Sequence, residues 1–191
     1  MIEYTLIRSN RRTVGIQIRG TEVIVRAPLF MSQRRIDDFV RENEAWAERN
    51  LQKAEKQQRK AESLGPLTEE ELTELTARAK EYIPGRVAFY APQVGVTVNR
   101  VTIRCQRTKW GSCSAAGNLN FNCLLMLCPP DVIDSVVVHE LCHLIEMNHS
   151  DRFYQEVLRV FPDYKKHHAW LKRNGGVLLR RAKAGEENTE E

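Results

Sequence analysis

The sequence lacks any long apolar run, and this absence excludes several classes of protein. No uninterrupted hydrophobic stretch reaches the roughly 18 residues that a membrane-spanning helix requires. The N-terminal segment MIEYTLIRSNRR lacks the apolar core of a signal peptide. No internal repeat is visible either. We therefore expect a globular protein of the cytoplasm that has no membrane partner.

The spacing of the cysteines shows no pairing pattern. The 5 cysteines form an odd set without a C-x-x-C pair, so we expect neither a disulfide framework nor a four-thiolate zinc ribbon. The content of 42% hydrophobic and 28% charged residues is typical of a folded domain. The net charge is +4 although the C-terminal AGEENTEE is acidic. The body of the chain is therefore basic and could attract an anionic partner.

The spacing of apolar residues divides the chain into three parts. Alternation within residues 2–27 predicts a small antiparallel β meander, and helical spacing follows from Ser32 to Leu51. The segment from Gln52 to Ser63 has almost no apolar face, which favours a boundary there. We predict an N-terminal unit at 1–63, a second domain at 64–181 and a disordered acidic tail at 182–191.

The second domain begins with a helix and continues with strands. Thr68 and Glu71 have the spacing of a capping box that starts a helix, and Pro84 is expected to break or kink it. Apolar residues near 96–103 and 119–121 then predict two strands. We interpret them as an antiparallel pair joined by a long functional loop, KWGSCSAAGN.

The segment VVVHELCHLIEMNHS contains the pattern H-E-x-x-H at His139, Glu140 and His143. It lies in an apolar stretch that predicts a helix from Asp131 to about Met147. Residues four apart on a helix share a face, so both imidazoles can reach one zinc ion at about 2 Å. Glu140 is adjacent to the first histidine and can act as general base towards a metal-activated water. The pattern thus predicts the active site of a hydrolase, which makes the second domain the catalytic one.

A catalytic zinc site requires a third protein ligand and an open fourth position. His149 is the leading candidate, and Glu146 and Asp151 are the alternatives. A continuing helix would turn His149 about 120° away from His143. We therefore expect the chain to leave the helix first, with Asn148 in the left-handed conformation that ends many helices.

Two segments, TKWGSCSAAGNLNFNCLLMLCPP and VVVHELCHLIEMNHSDRFY, followed by FPDYKKHHAWL, resemble the YgjP-like metal-dependent hydrolases. That family is related to the SprT-like and WLM zinc peptidases. The resemblance extends over almost the whole chain and implies an α+β, zincin-like metallopeptidase fold with an active-site helix. It also implies that His139, His143 and His149 bind Zn²⁺, or another divalent metal, beside the base Glu140.

The resemblance further implies that the loop around Trp110 and Ser112 lies near the active site. Independently of it, the cations Arg104, Arg107 and Lys109 precede this loop and could hold an anionic substrate near the metal. We therefore name Arg107, Lys109, Trp110 and Ser112 as candidate substrate-binding residues.

These residues favour a zinc-dependent hydrolase, and a metallopeptidase-like enzyme is the leading hypothesis. An exposed strand at Asn118–Asn122 would align an extended peptide substrate. The first alternative is a metal-dependent nucleoside triphosphate pyrophosphatase or other phosphoanhydride hydrolase, in which Arg107 and Lys109 hold a nucleotide. The second is a DNA-associated, SprT-like protease whose basic body binds nucleic acid.

Overall fold

The computed structural model describes residues 2–106 and 108–187. Contacts divide the chain into a first unit, Met1–Leu64, and a second unit, Gly65–Glu191. The domain boundaries inferred from the sequence stay predictions. Residues 182–187 of the predicted acidic tail belong to the last helix, and residues 188–191 lie outside the described residues.

The first unit contains one sheet and two helices. In the sheet, β3 is central, β1 runs parallel to it and β2 runs antiparallel to it. Four buried residues, Val25, Ala27, Ile36 and Val40, form the core between β3 and the first helix. The elements are β1 (Thr5–Ser9), β2 (Gly15–Arg19), β3 (Glu22–Pro28), α1 (Gln33–Glu42) and α2 (Glu44–Leu64).

The antiparallel meander predicted for residues 2–27 is wrong in its strand pairing. In a meander β1 would pair with β2, whereas here β1 pairs in parallel with β3, with Thr5 opposite Ile24. Alternating apolar residues identify the face of a strand that is buried, because successive side chains point to opposite sides. The same alternation contains no information about which strand lies alongside or in which direction it runs.

The second unit repeats this connectivity in a second sheet and surrounds it with helices. Here β6 is central, β4 is parallel to it and β5 is antiparallel to it. The strands predicted near 96–103 and 119–121 are therefore a parallel pair, so that prediction is wrong in direction. The elements are α3 (Glu69–Val94), β4 (Arg100–Arg104), β5 (Gly111–Cys113), β6 (Asn118–Asn122), a 3₁₀ helix (Cys123–Leu127), α4 (Pro130–Cys142), α5 (Asp151–Val160) and α6 (Tyr164–Glu187).

Helix α3 begins as predicted and is longer than predicted. Thr68 Oγ1 accepts a hydrogen bond from Glu71 N at 3.2 Å, and the Glu71 carboxylate accepts one from Thr68 N at 2.8 Å. The helix does not end at Pro84 but continues to Val94. Ile83 and Val87, which flank the proline, are buried. Packing of this face therefore outweighs the backbone hydrogen bond that a proline cannot make.

Helix α4 carries the H-E-x-x-H motif through the core of the second unit. Its Asp134 is 6% exposed and accepts two hydrogen bonds from the Arg86 guanidinium, each 2.7 Å long. Tyr90 donates a third bond of 3.2 Å to the same carboxylate. Hydrogen bonding to Asp134 raises the pKa of Arg86, so the guanidinium stays charged, and the contact fixes α3 against α4.

The α+β fold class and the helix that carries the motif are confirmed. Within the described part of the chain, no helix has both the length and the apolar character that crossing a bilayer requires.

Candidate metal centre

The motif-bearing helix ends earlier than the sequence predicted. Helix α4 stops at Cys142 rather than near Met147, and the Cys142 carbonyl accepts hydrogen bonds from Ile145 N and Glu146 N, both 3.0 Å long. Among the described residues no amino acid other than glycine has a positive φ, so the left-handed Asn148 that we expected is wrong. Successive tight turns redirect the chain instead.

The next helix begins directly after the third histidine. Ser150 is the N-cap of α5, and its hydroxyl accepts a hydrogen bond from Phe153 N at 3.3 Å. His149 is therefore fixed between the turns that leave α4 and the first turn of α5. This short path allows its ring to return to the side of α4 on which His139 and His143 lie.

The three histidines converge. One ligand nitrogen from each of His139, His143 and His149 lies within 4.8 Å of the other two, and the two Nε2 atoms of His139 and His149 are 3.1 Å apart. Nitrogen ligands about 2.0–2.1 Å from a tetrahedral zinc lie roughly 3.4 Å from each other. Neither of the alternative third ligands, Glu146 and Asp151, belongs to the cluster among the described residues.

The outer nitrogens of two of these rings have partners that orient them. His139 Nδ1 lies 2.9 Å from the Tyr164 hydroxyl, and His143 Nδ1 lies 3.1 Å from the Glu146 carbonyl oxygen. A backbone carbonyl can only accept, so His143 carries its proton on Nδ1 and leaves Nε2 free. Partners of this kind fix the ring orientation and the tautomer of metal-binding histidines. The donor set therefore fits a divalent metal such as zinc.

The electrostatics of the cluster favour the ligand form of the histidines. Burial, followed by the neighbouring histidines, lowers the pKa of His139 to about 3, and burial also lowers the pKa of His143. Both rings are neutral at pH 7, as metal binding requires. Burial raises the pKa of Glu140 to about 8, while the nearby Lys109 opposes this shift. A cation among the imidazoles would favour the carboxylate form of Glu140.

Strand β5 lies directly on the carboxyl group of Glu140. A Cβ added at Gly111 would lie 2.6 Å from Glu140 Oε1 and 2.8 Å from its Cδ. Separations below 3.0 Å are essentially never found for real Cβ atoms. Glycine at this position is therefore what allows the strand and the glutamate to approach each other.

The neighbouring Trp110 is held by a second glycine and by a buried amide. A Cβ added at Gly175 of α6 would lie 2.8 Å from Trp110 Cζ2, so the indole occupies that space. Asn122 is fully buried, and its side-chain nitrogen donates to the carbonyls of Gln106 and Lys109 at 2.7 and 2.8 Å. Its backbone N–H donates to the Trp110 carbonyl at 2.9 Å. The segment before β5 is thus fixed to the sheet.

A cavity of about 220 Å³ lies beside the histidines. Of the four candidate substrate-binding residues, Lys109 and Trp110 line it. Ser112 does not, because its hydroxyl accepts a hydrogen bond from Asn120 on β6 at 3.3 Å, on the side of the strand opposite to Gly111 and Cys113. Arg107 lies outside the described residues. The cavity is lined by Thr108, Lys109, Trp110, Gly111, Ser135, Val136, His139, Glu140, Tyr164, His168 and Leu171.

Sequence reasoning missed Tyr164, His168 and the role of Asn122. His167 and His168 follow two lysines in the sequence, yet His167 is only 9% exposed. His168 lines the cavity, and its Nδ1 lies 3.2 Å from the Tyr164 hydroxyl that contacts His139. The four-residue spacing of Tyr164 and His168 on one helix was the available signal.

Comparison with known proteins identifies the family. Residues 12–73 and 67–174 match the family described as "YgjP-like, metallopeptidase domain". The crystal structure of the metallopeptidase zymogen of Pyrococcus abyssi abylysin is similar to this chain at 20% sequence identity and a TM-score of 0.43, over 48% of this chain and 93% of that chain. No curated protein matches the chain. Because the matched segments span most of the sequence and include the histidine cluster, the chain belongs to the YgjP-like family of metallopeptidase domains.

Proposed function

We propose that this chain is a zinc-dependent metallopeptidase in which His139, His143 and His149 hold the ion and Glu140 is the general base. The observation that supports it most is the convergence of three imidazoles within 4.8 Å beside a carboxyl group that is 6% exposed. Burying Glu140 beside this cluster, of which only His149 is exposed, is unfavourable unless the groups share a partner. A divalent cation is a partner that suits all of them.

A bound zinc ion supplies Lewis acidity to the scissile carbonyl and to the attacking water. The protein residues then divide the remaining tasks. Glu140 accepts a proton from the water on a carboxylate oxygen and donates it to the nitrogen of the leaving amine. Burial raises the pKa of Glu140 to about 8, and a cation held by the histidines would lower it again and so favour the carboxylate that accepts the proton.

The edge of β5 supports a peptide as the substrate. The strand Asn118–Asn122, which was predicted to align an extended peptide, is β6, and it lies between β4 and β5 in the sheet. Strand β5 has a strand partner on one side only among the described residues. An extended peptide paired with its outer edge would pass Glu140, because Gly111 touches that carboxyl group. We therefore propose that an extended peptide substrate pairs with β5 and not with β6.

The alternatives have less support. The cavity of about 220 Å³ is smaller than the roughly 300–1,000 Å³ of typical small-molecule pockets. Lys109 is its only lysine or arginine among the described residues, whereas a triphosphate would need several cationic contacts. The family match indicates a metallopeptidase domain and gives no support to a nucleotide or nucleic-acid substrate.

The decisive experiment compares two glutamate variants. Glu140→Gln should retain stoichiometric zinc and lose peptide hydrolysis by at least about 100-fold, since general base catalysis contributes that much or more. Glu146→Gln is the matched control, because Glu146 contacts His143 through its backbone carbonyl and should keep both properties. Zinc is measured by elemental analysis, and hydrolysis with casein and a fluorogenic peptide library.

Two results would contradict the proposal. Wild-type activity in Glu140→Gln would remove the general base. Release of phosphate or pyrophosphate from nucleotides by the wild type, without cleavage of any peptide, would favour the phosphoanhydride hydrolase instead.

A further inference from the structure

A cavity of about 220 Å³ lies directly beside Glu140. It is bounded by α4, α6 and the segment that leads into β5, and His139 and Glu140 form part of its wall. A peptide whose carbonyl is placed at these two residues has one neighbouring side chain within reach of the cavity. The following argument therefore rests on the proposed peptidase function.

Most of the cavity wall is apolar or already hydrogen-bonded. Trp110, Val136 and Leu171 contribute apolar surface from three separate elements. The Ser135 hydroxyl is 2.7 Å from the Val132 carbonyl, to which it donates, and the Tyr164 hydroxyl is engaged by two histidines. Polar atoms that are satisfied within the protein give little benefit to a polar ligand group. The wall is therefore suited to an apolar one.

The cavity is formed before any ligand binds. The indole of Trp110 packs so closely against Gly175 that a Cβ atom at Gly175 would collide with it. A glycine inside a helix lowers stability by about 1 kcal/mol relative to alanine, so its presence in α6 requires a reason, and the seated indole provides one. Asn122 fixes the backbone of the same segment through its bond to the Lys109 carbonyl. A preformed wall can discriminate between side chains without first being ordered.

The cavity disfavours ionised side chains of both signs. The exposed Lys109 lines it beside the apolar wall. The ammonium group of Lys109 would repel lysine and arginine side chains, and burying any ionised side chain against the apolar wall carries a large desolvation cost. Unfavourable interactions of this kind are a common source of specificity.

We propose that this cavity is the specificity pocket of the enzyme and that it accepts one uncharged apolar side chain, of the size of leucine, next to the scissile peptide bond. Its volume of about 220 Å³ accommodates a single side chain and excludes a nucleotide. The substrates are thus peptides with an apolar residue beside the cleavage site.

The test uses the zinc-loaded full-length protein and three peptide hydroxamates that differ in one side chain, leucine, alanine or lysine. A hydroxamate ligates the metal, so its affinity is measured by calorimetry without turnover. Leucine should bind at least about tenfold more tightly than alanine, since added methylenes in an apolar pocket have effects of this size. Lysine should bind more weakly than alanine.

Two variants link this preference to the cavity. Leu171→Trp fills it and should remove the advantage of leucine over alanine, whereas Lys165→Trp, at an exposed position of α6, should retain it. Leu171 is buried, so folding of the variant is checked by circular dichroism. Lys109→Ala changes an exposed side chain without risk to the core and should weaken the discrimination against lysine by severalfold.

Equal affinities of the wild type for the leucine and alanine compounds, or an unchanged preference in a folded Leu171→Trp protein, would overturn the pocket. Cleavage of peptides without any such preference would leave the peptidase function intact and overturn the pocket alone. A clear leucine preference without cleavage of the matching peptide would instead support the pocket and reject the peptidase function.

Discussion

The two sheets of this protein have the same connectivity and differ in what is packed against them. In each sheet the third strand is central, the first is parallel to it and the second is antiparallel to it. The second strand of each begins with a glycine, Gly15 in β2 and Gly111 in β5. A Cβ at Gly15 would meet nothing closer than Arg11 Nη2 at 3.7 Å, whereas one at Gly111 would collide with Glu140. The shared connectivity of the strands therefore does not create the candidate metal centre. That centre depends on helix α4, whose Glu140 packs against the second sheet.

The largest effect should follow from adding one methyl group to each of these glycines. Gly111→Ala must push β5 or the Glu140 carboxyl group aside, and displacement of a catalytic group by about 1 Å lowers activity on the order of 100-fold. Gly15→Ala places its methyl group at an ordinary contact distance and should leave activity unchanged. Peptide hydrolysis by the two variants and the wild type is compared at matched zinc content.

The predicted difference between the two glycine positions is contradicted if Gly111→Ala has the activity of the wild type. It is also contradicted if Gly15→Ala is as impaired as Gly111→Ala while remaining folded by circular dichroism. The first result would mean that the close approach of β5 to Glu140 has no catalytic consequence, and the second that the loss of activity is not specific to this approach.

Local patterns in the sequence predicted the parts of the site that depend on local geometry. The four-residue spacing of His139 and His143 indicates one helical face irrespective of the rest of the fold. The capping box at Thr68 is similarly local, since both partners lie within one turn. For such features a short segment contains all the interacting groups.

Features that depend on distant residues could not be predicted in this way. The parallel pairing of β1 with β3 and of β4 with β6 depends on the path of the whole chain. The need for glycine at position 111 arises from its contact with Glu140, and the position of the Trp110 indole depends on Gly175. In both pairs the two residues are far apart in the sequence. Tyr164 likewise meets His139 only in the folded protein.

A second, smaller effect should distinguish the tyrosine hydroxyls of the two units. Tyr164→Phe removes the partner of His139 Nδ1, and loss of such a partner typically lowers metal affinity 10–100-fold. Tyr4→Phe removes a hydroxyl that donates to Asp37 at 2.6 Å in the first unit and should not change zinc affinity. Zinc dissociation constants are measured by competition with a chromogenic chelator. Equal affinity of Tyr164→Phe and the wild type would show that Tyr164 does not orient His139.

The smallest effect concerns two carboxyl groups whose pKa values shift in opposite directions. Asp37 in the first unit has a lowered pKa because Tyr4 donates a hydrogen bond to it, so its contribution to stability is lost only on acidification. Burial raises the pKa of Glu140 from its ordinary 4.5 to about 8. Between these values the folded, metal-free protein binds more protons than the unfolded chain, and its stability must fall as the pH rises.

Glu140→Gln removes this titration, so the two proteins can be compared directly. The window from pH 6.5 to 8 is chosen because the effect of His139 falls mainly between its lowered pKa of about 3 in the folded protein and its ordinary pKa of 6.5. Relative to Glu140→Gln, the chelator-treated wild type should lose about 1–2 kcal/mol of unfolding free energy across the window, as measured by urea denaturation. Zinc should abolish the difference in slope, because a nearby cation stabilises the carboxylate. If the unfolding free energies of the two metal-free proteins change with pH in the same way, Glu140 ionises in the folded state as it does in water. The second sheet would then not enclose its carboxyl group in apolar surroundings.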